Sequence, residues 1–272
     1  MKLVVDLSRV FEAAQAYVML SRVQELQQLV IINTMQRDKI YPSPHALAEL
    51  EKMNSNALNS KHNSTDGDLK IVSINIRSLR KHMVDLIKEP NIMESDVILV
   101  QQTCLKKDES TITYHLENYE VHFNSFGDGK GVALYYKENF EHIADIRKEN
   151  YQISKLQSEK YDIICVYRSS DSIKTNQMDF LNDLRSLICK NHKTIISGDF
   201  NFNALCSKQN YILKTLETWN FIQIVKEPTH ILGGLIDHCY MSNNISKSLV
   251  SFIQKSVYYT DHDVNEIIIR ET

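Results

Sequence analysis

The sequence predicts an α+β fold for the larger part of this chain, with β-sheets stacked inside flanking helices. Two observations predict it: short runs typical of strands recur from residue 68 to residue 272, and segments with helical spacing separate several of them. The composition of 43% hydrophobic and 24% charged residues is that of an ordinary globular protein, so 272 residues suffice for one substantial core plus an appendage.

The first 53 residues predict a short, mostly helical appendage. Apolar side chains recur at helical spacing from Asp6 to Leu29, which indicates an amphipathic helix, and packing on a core is the ordinary role of such a helix. Pro42 and Pro44 break the periodicity because proline lacks an amide hydrogen, and a second short helix is expected over residues 44–52.

Residues 54–67 form a polar stretch that carries too few apolar groups to offset the entropy cost of ordering it. We therefore interpret it as a linker between the appendage, residues 1–53, and a main domain, residues 68–272.

The main domain contains no internal repeat, and its elements are predicted from periodicity. Alternating or continuous apolar runs predict strands, and spacing of about 3.6 residues predicts helices. The predicted strands cover residues 70–76, 97–100, 132–136, 163–166, 194–196 and 267–269, and the predicted helices cover residues 78–88, 177–190 and 211–219.

Polar residues follow or interrupt several of these strands, where functional sites are commonly built. Asp199 and Asn201 follow an apolar strand in the sequence Ser-Gly-Asp-Phe-Asn, which read alone also fits an ordinary Gly-Asp turn. Asn75 lies inside a predicted strand, where an unpartnered amide would be costly. Four further short segments with polar residues border the apolar residues of strands: Gln101-Gln102-Thr103, Tyr167-Arg168, Leu235-Ile236-Asp237-His238 and Tyr259-Thr260-Asp261-His262-Asp263.

Taken together and in this order, these motifs resemble the endonuclease/exonuclease/phosphatase superfamily over the whole of residues 68–272. The resemblance is nearest to the endonuclease domains of retrotransposons, and it implies a four-layered α/β sandwich with two face-to-face β-sheets, helices outside and a catalytic cleft at one end. The motifs that carry it are Asn75-Ile76-Arg77-Ser78-Leu79-Arg80, Gly131-Val132-Ala133-Leu134-Tyr135, Val166-Tyr167-Arg168, Gly198-Asp199-Phe200-Asn201 and Leu235-Ile236-Asp237-His238.

The resemblance implies hydrolysis of a phosphodiester by a water molecule. Asp199 would orient or deprotonate that water, and Asn201 would contact the phosphate. His262 would polarise a non-bridging oxygen while Asp237 fixes its tautomer. Tyr167 would donate a hydrogen bond to the phosphate.

The resemblance also implies Mg²⁺, with Mn²⁺ as a substitute, held by Asn75, Gln102 and Asp261. At the position of Gln102 the family has a glutamate, the principal carboxylate ligand of the metal. Glutamine keeps an acceptor oxygen but loses the charge, so metal affinity should fall. Two interpretations follow: a weakened DNA endonuclease, or an inactive phosphate-binding or nucleic-acid-binding domain. A phosphatase of the same superfamily is a further alternative.

The appendage is similar to the last motif of superfamily-1 DNA helicases of the Helitron type, over residues 3–52. The similarity lies in the segment from Val5 to Arg22, with Arg22 at the position that senses the ATP γ-phosphate, and in the segment from Asp38 to Pro44. A helicase needs a P-loop and two nucleotide-binding lobes, and this sequence shows neither, so helicase and ATPase activity and nucleotide binding are excluded. A transposon-derived remnant of a helicase-endonuclease protein is the simplest interpretation.

Charge and cysteine content restrict the partners. Residues 67–272 contain 24 basic and 27 acidic residues, so we expect contact with DNA to rely on a local patch, a bound divalent cation or a partner domain outside this chain rather than on overall charge. The five cysteines are widely spaced and odd in number, which favours free thiols. No apolar run is long enough for a membrane span. We expect an intracellular, nuclear protein.

Overall fold

The computed structural model describes residues 3–6, 29–32, 67–106, 109–124, 130–169, 177–206 and 210–271. The chain divides into two compact units, Met1–His62 and Asn63–Thr272. Among the described residues, no helix is both long enough and apolar enough to cross a membrane.

In the first unit, two short strands pair in parallel, β1 (Leu3–Asp6) with β2 (Leu29–Ile32). The helix predicted from Asp6 to Leu29 is therefore wrong at both of its end residues. Each belongs to an apolar, β-branched run that favours a strand over a helix. The rest of that helix, the helix predicted over residues 44–52, Arg22 and nearly all of the predicted linker lie outside the described residues.

The second unit contains two six-stranded mixed sheets. The strands in chain order are β3 (Leu69–Asn75), β4 (Val97–Gln101), β5 (Glu120–Asn124), β6 (Val132–Tyr136), β7 (Glu141–Arg147), β8 (Tyr151–Gln157), β9 (Tyr161–Arg168), β10 (Lys193–Asp199), β11 (Phe221–Gln223), β12 (Asp237–Ser242), β13 (Val250–Lys255) and β14 (Val264–Ile269). Sheet I has the order β11-β12-β10-β9-β8-β7, and sheet II has the order β13-β14-β3-β4-β6-β5.

Helices cover the outer faces of both sheets. They are α1 (Leu79–Leu86), α2 (Pro90–Met93), α3 (Gln177–Leu187) and α4 (Tyr211–Thr218), and short 3-10 helices span Ile112–Tyr114 and Lys247–Leu249. Polar caps begin two of the helices: the Ser78 side chain accepts from the Lys81 amide, and the Asn210 side chain accepts from the Ile212 amide.

Three buried apolar clusters hold these layers together. One lies between the two sheets and contains Leu99, Leu134 and Ile163; the second joins sheet II to α1; the third joins sheet I to α3 and α4. The predicted four-layered α/β sandwich is therefore confirmed, and each of the six predicted strands and three predicted helices of this unit is present with adjusted ends.

Strand direction brings the polar strand ends together. Strands β3 and β4 run parallel, so Asn75 lies beside Gln101, and β9 and β10 run parallel, so Tyr167 lies beside Asp199. Carboxyl ends of parallel strands share one edge of a sheet, and ligand sites of α/β proteins commonly lie outside that edge.

Candidate active site

Three polar side chains form a row across the middle of sheet I. In the strand register, Asp199 of β10 lies opposite Tyr167 of β9 on one side and opposite Asp237 of β12 on the other. Residues that face each other across neighbouring strands project from the same face of the sheet. All three are buried, and this row is the base of the site.

Asn75, at the end of β3, links sheet II to this row of sheet I. Its side-chain nitrogen donates a hydrogen bond of 2.8 Å to Asp199 Oδ2, and its side-chain oxygen accepts from the Arg77 amide at 3.0 Å. The costly buried amide of β3 is therefore fully partnered, and it joins the two sheets.

Asn201 completes the surroundings of the Asp199 carboxylate. Its backbone amide donates to Asp199 Oδ1 at 2.8 Å, and its side-chain nitrogen donates to Asp199 Oδ2 at 2.9 Å and to the backbone oxygen of Arg168. In this arrangement the amide nitrogen orients Asp199. Arg168 in turn donates to the Phe200 backbone oxygen at 3.1 Å, so it positions the turn that contains Asn201.

Burial and charge perturb Asp199. Burial raises the pKa of this carboxyl most strongly and the nearby charge of Asp237 raises it further, against the opposing effects of His262 and the hydrogen bonds from Asn201 and Asn75. The net effect is a pKa well above the usual value for aspartate, which suits a group that accepts a proton near neutral pH.

His262 and Asp237 form a buried pair. His262 Nδ1 lies 2.8 Å from Asp237 Oδ2. Because an ionised carboxylate can only accept, Nδ1 carries the hydrogen, and Nε2 on the other side of the ring lies 3.8 Å from Asp261 Oδ1. Burial alone would lower the pKa of His262, but the hydrogen bond and charge of Asp237 outweigh it and raise the pKa.

A guanidinium and two imidazoles surround the carboxylate of Asp261. The Arg77 guanidinium donates to Asp261 Oδ2, His230 Nε2 lies 3.3 Å from the same oxygen, and His262 Nε2 lies 3.8 Å from Oδ1. Burial would raise the pKa of Asp261, but the charges of His262 and Arg77 lower it overall. Asp261 therefore remains ionised.

Gln102 begins the loop after β4 and contacts the row through Tyr167. Burial has the largest effect on Tyr167 and raises the pKa of its phenol to about 12. A hydrogen bond from the Gln102 side chain opposes this rise. Tyr167 is therefore a neutral phenol at physiological pH and can donate a hydrogen bond.

The backbone around the site adopts strained conformations. Arg77, Gln102, Cys104 and Asn201 have positive φ angles of 57°, 53°, 55° and 50°. This left-handed region costs a side-chain-bearing residue roughly 1 to 2 kcal/mol, and such residues concentrate at functional sites. Each of these residues lies just beyond the end of a strand, where the chain turns away from the sheet.

Gly198 lies inside β10 opposite Val166 and His238, and Asp199 is the last residue of the same strand, so the interpretation of this pair as a turn is wrong. Gly198 has φ +145°, and a Cβ atom there would lie 1.9 Å from the Val166 backbone oxygen. Only glycine fits where β9 approaches β10 this closely.

Residues 72–262 match the model of the family described as "Endonuclease/Exonuclease/phosphatase family". The chain belongs to this family. A curated relative from Schizosaccharomyces pombe, an N-terminal acetyltransferase A complex subunit-like protein, is 28% identical over 153 residues. That match covers 56% of this chain and 21% of the relative, so the chain spans about a fifth of that protein's length.

Three solved structures illustrate the endonuclease/exonuclease/phosphatase fold. The endonuclease domain of TRAS1, a telomere-specific non-LTR retrotransposon, has a TM-score of 0.58 at 14% identity, covering 75% of this chain and 98% of that domain. The 3' phosphatase NExo from Neisseria bound to a product DNA hairpin has a TM-score of 0.59 at 12% identity (75% and 100%). An AP endonuclease from Archaeoglobus fulgidus has a TM-score of 0.57 at 14% identity (74% and 99%). The family supports a hydrolase of the phosphodiesterase type.

Whether the residues fit a divalent cation depends on Asp261. Its Oδ1 atom is buried and accepts no hydrogen bond from the described part of the chain. Two sets of three residues at this site each bring their ligand atoms within 4.8 Å of one another. The first set is His230, Asp261 and His262, and the second is Asp199, Asp237 and His262. One carboxylate together with phosphate oxygens is close to the minimum that Mg²⁺ requires. The site therefore fits a weakly held cation.

All eight residues singled out from the sequence lie at this end of the sandwich. Direct contacts or strand pairing connect Asn75, Tyr167, Asp199, Asn201, Asp237, Asp261 and His262, and Gln102 joins through Tyr167. Sequence reasoning missed Arg77, His230 and Thr260, whose hydroxyl donates to the Asn75 backbone oxygen at 2.9 Å. The signal for Arg77 was its place inside the Asn75 motif.

An open cleft continues from Asp261 along the surface. Arg77, Lys81, His82 and Tyr258 line it. Two of its lining side chains are apolar or aromatic and project into solvent: Ile231 and Tyr258 are 79% and 74% exposed. Exposed apolar groups beside cationic ones are the chemistry that binds bases and phosphates.

Proposed function

We propose that this domain is a phosphodiesterase that cuts DNA with the help of a divalent cation, Mg²⁺ or Mn²⁺, and that it derives from a transposable element. The observation that carries the proposal is the position of Asp199. Asn75 of sheet II and Asn201 bind its carboxylate, and the buried Asp237–His262 pair lies beside it. A proton acceptor and a proton donor therefore lie side by side at the base of the site.

Each residue has a role in this proposal. Asp199, with its raised pKa, accepts a proton from the water that attacks phosphorus. His262, protonated at Nε2 and held by Asp237, donates to a non-bridging oxygen and stabilises the charge that develops there. Tyr167, a neutral phenol, donates a second hydrogen bond to the phosphate.

A divalent cation would be held by Asp261 and Gln102, with Asn75 in support, and when bound it would neutralise charge on the phosphate and the leaving oxygen. Only Asp261 of these three has a formal charge. We therefore expect weak metal binding and slow hydrolysis.

The cleft border favours nucleic acid as the substrate. Ile231 lines the cleft together with Asp261, and Lys81 and Arg77 supply positive charge within an otherwise slightly acidic domain. Apolar side chains can insert between bases while cations bind the backbone, a combination that a small phosphate ester does not need. Action on DNA implies a nuclear location in a eukaryotic cell.

A second candidate function is phosphate binding without hydrolysis. Two observations favour it: the Arg77 guanidinium donates to Asp261, and the side chain at position 102 is a neutral glutamine. A guanidinium binds phosphate well but lowers the tendency of the same carboxylate to bind a metal ion.

The test is conversion of supercoiled plasmid to nicked circles in Mg²⁺ and in Mn²⁺, with EDTA as the blank. We expect slow nicking by the parent chain that falls about 100-fold or more in Asp199→Ala and is unchanged in Glu117→Ala, an exposed carboxylate outside the site. Binding of DNA without nicking in either metal would instead establish the second candidate. Release of phosphate from a 3'-phosphorylated oligonucleotide, with intact plasmid, would identify a phosphatase.

A further inference from the structure

A second cluster of metal-binding side chains lies outside the candidate active site and shares no residue with it. His122 of β5, His142 of β7 and Asp145 of β7 bring their ligand atoms within 4.8 Å of one another. Strands β5 and β7 are the outermost strands of sheet II and sheet I, so the cluster lies where the two sheet edges meet.

Both imidazoles lie within hydrogen-bonding distance of the same carboxylate. His122 Nε2 lies 2.6 Å from Asp145 Oδ2, and His142 Nε2 lies 3.1 Å from Asp145 Oδ1. The two rings stack with centroids 3.5 Å apart and an interplanar angle of 13°. Two imidazole nitrogens and one carboxylate converge on one point, which leaves further positions for water around an ion.

A β-bulge in β7 creates this arrangement. The register between β7 and β8 shifts between His142 and Ala144, so that His142 lies opposite Leu156 while Asp145 lies opposite Ser154. In a regular strand, residues three apart face opposite sides. The extra residue, Ile143, turns His142 and Asp145 to one face, and bulges commonly re-aim side chains in this way.

Buried polar residues fix the carboxylate from behind. Ser154 donates to Asp145 Oδ1 at 2.7 Å, Asn124 donates to Ser154 at 3.0 Å, and Arg147 donates to the Asn124 side-chain oxygen at 2.7 Å. Ser154 and Asn124 are fully buried. Supporting hydrogen bonds of this kind orient the ligands of metal sites.

We propose that His122, His142 and Asp145 bind a zinc-class ion that joins the free edges of the two sheets. Zinc takes two imidazoles and a carboxylate at bonds of about 2.0 to 2.2 Å, which places the ligand atoms about 3.4 Å apart. The rings must separate from their stack to reach this geometry. Both side chains keep surface for that rotation, with 30% of His122 and 23% of His142 exposed.

The active-site donors could also take zinc, so the test uses the Asp261→Ala/His262→Ala variant as its background. Calorimetric titration of this full-length, metal-free chain with zinc chloride is expected to show one equivalent bound and a rise in melting temperature. Adding His122→Ala and His142→Ala should abolish both effects, whereas His115→Ala, which removes an exposed histidine elsewhere, should change neither.

Two measurements remain decisive if the quadruple variant does not fold. X-ray absorption at the zinc edge of the background variant should show two imidazoles in the first coordination sphere. Ser154→Ala, which removes only the supporting hydroxyl, should weaken zinc binding about 10-fold to 100-fold. Absence of zinc binding in the background variant, or a zinc spectrum without imidazole, would overturn the proposal.

Discussion

The guanidinium of Arg77 donates to the carboxylate of Asp261 although the two residues are 184 positions apart in the sequence. Arg77 has a left-handed backbone, and its amide donates to the Asn75 side-chain oxygen. This conformation directs the Arg77 side chain towards the cleft. The same carboxylate is the only charged group among the proposed metal ligands. Arg77 and a divalent cation therefore compete for Asp261.

Replacing Arg77 by alanine should release Asp261 for the metal. The Arg77 side chain is 55% exposed, so the ion pair contributes at most about 1 kcal/mol, which is about fivefold in metal affinity. We expect the Mg²⁺ concentration that half-saturates nicking to fall by up to about that factor. DNA binding in EDTA, measured by fluorescence anisotropy, should weaken. Arg270→Ala, at an exposed position outside the site, should alter neither quantity.

Restoring a carboxylate at position 102 should strengthen the metal site. In Gln102→Glu we expect Mg²⁺ affinity and nicking rate to rise by about tenfold or more, equivalent to roughly 1.4 kcal/mol. Without metal, the new charge lies near Tyr167 and Asp199 and should lower the melting temperature. Addition of Mg²⁺ should recover that loss. Equal nicking by the two proteins would show that Gln102 does not limit the reaction.

The pH profile of kcat/KM should be bell-shaped. Asp199 must be ionised and its pKa is raised, so the rate increases as pH rises through that pKa. His262 must be protonated and its pKa is also raised, so the rate decreases as pH rises through its pKa. The charge of Asp237 raises both values. Asp237→Asn should therefore move both limbs to lower pH, whereas a residue that only supports the fold would leave the limbs in place.

Gly198→Ala should destabilise the domain strongly. The added Cβ would overlap the Val166 backbone oxygen at 1.9 Å, and strands β9 and β10 would have to separate. We expect a loss of about 3 kcal/mol or more in the free energy of unfolding, measured by urea denaturation. Gly234→Ala is the matched control, because its Cβ would meet its nearest neighbour at an ordinary 3.5 Å.

Ile231→Asp should weaken binding to DNA without affecting stability. Ile231 is 79% exposed and lines the cleft, and a carboxylate there would repel phosphates and remove an apolar contact with bases. Anisotropy in EDTA should show the loss while the melting temperature stays constant. Ile112→Asp, at a residue 79% exposed outside the cleft, supplies the control. Equal losses in both variants would argue against this surface.

The predicted strands are those with continuous or alternating apolar residues, and strand β8 was missed because its alternation breaks at Lys155. The strand contains Gln152, Ser154 and Lys155, all buried. Their partners are distant in sequence: Gln152 accepts from the Gly131 amide, and Lys155 donates to the Leu187 backbone oxygen. Buried polar residues satisfied by tertiary contacts carry no periodic signal, so their strand could not be predicted from local pattern.

The site was predictable where motifs end strands, and it was not predictable where loops decide the contacts. Asn75, Asp199 and His262 each belong to a motif with neighbouring strand residues. His230 reaches Asp261 because its loop forms an isolated bridge to His262. No spacing in the sequence indicates that bridge, since it depends on a tertiary turn.

The row of Tyr167, Asp199 and Asp237 has a consequence for insertions and deletions. Because side chains alternate along a strand, adding or removing one residue within β10 would turn Asp199 to the opposite face while leaving hydrogen bonding of the backbone largely intact. Such a chain could still form its sheets and yet have an apolar side chain where the carboxylate belongs. The face of the strand on which each residue lies, as much as residue identity, therefore determines whether a copy of this domain retains its chemistry.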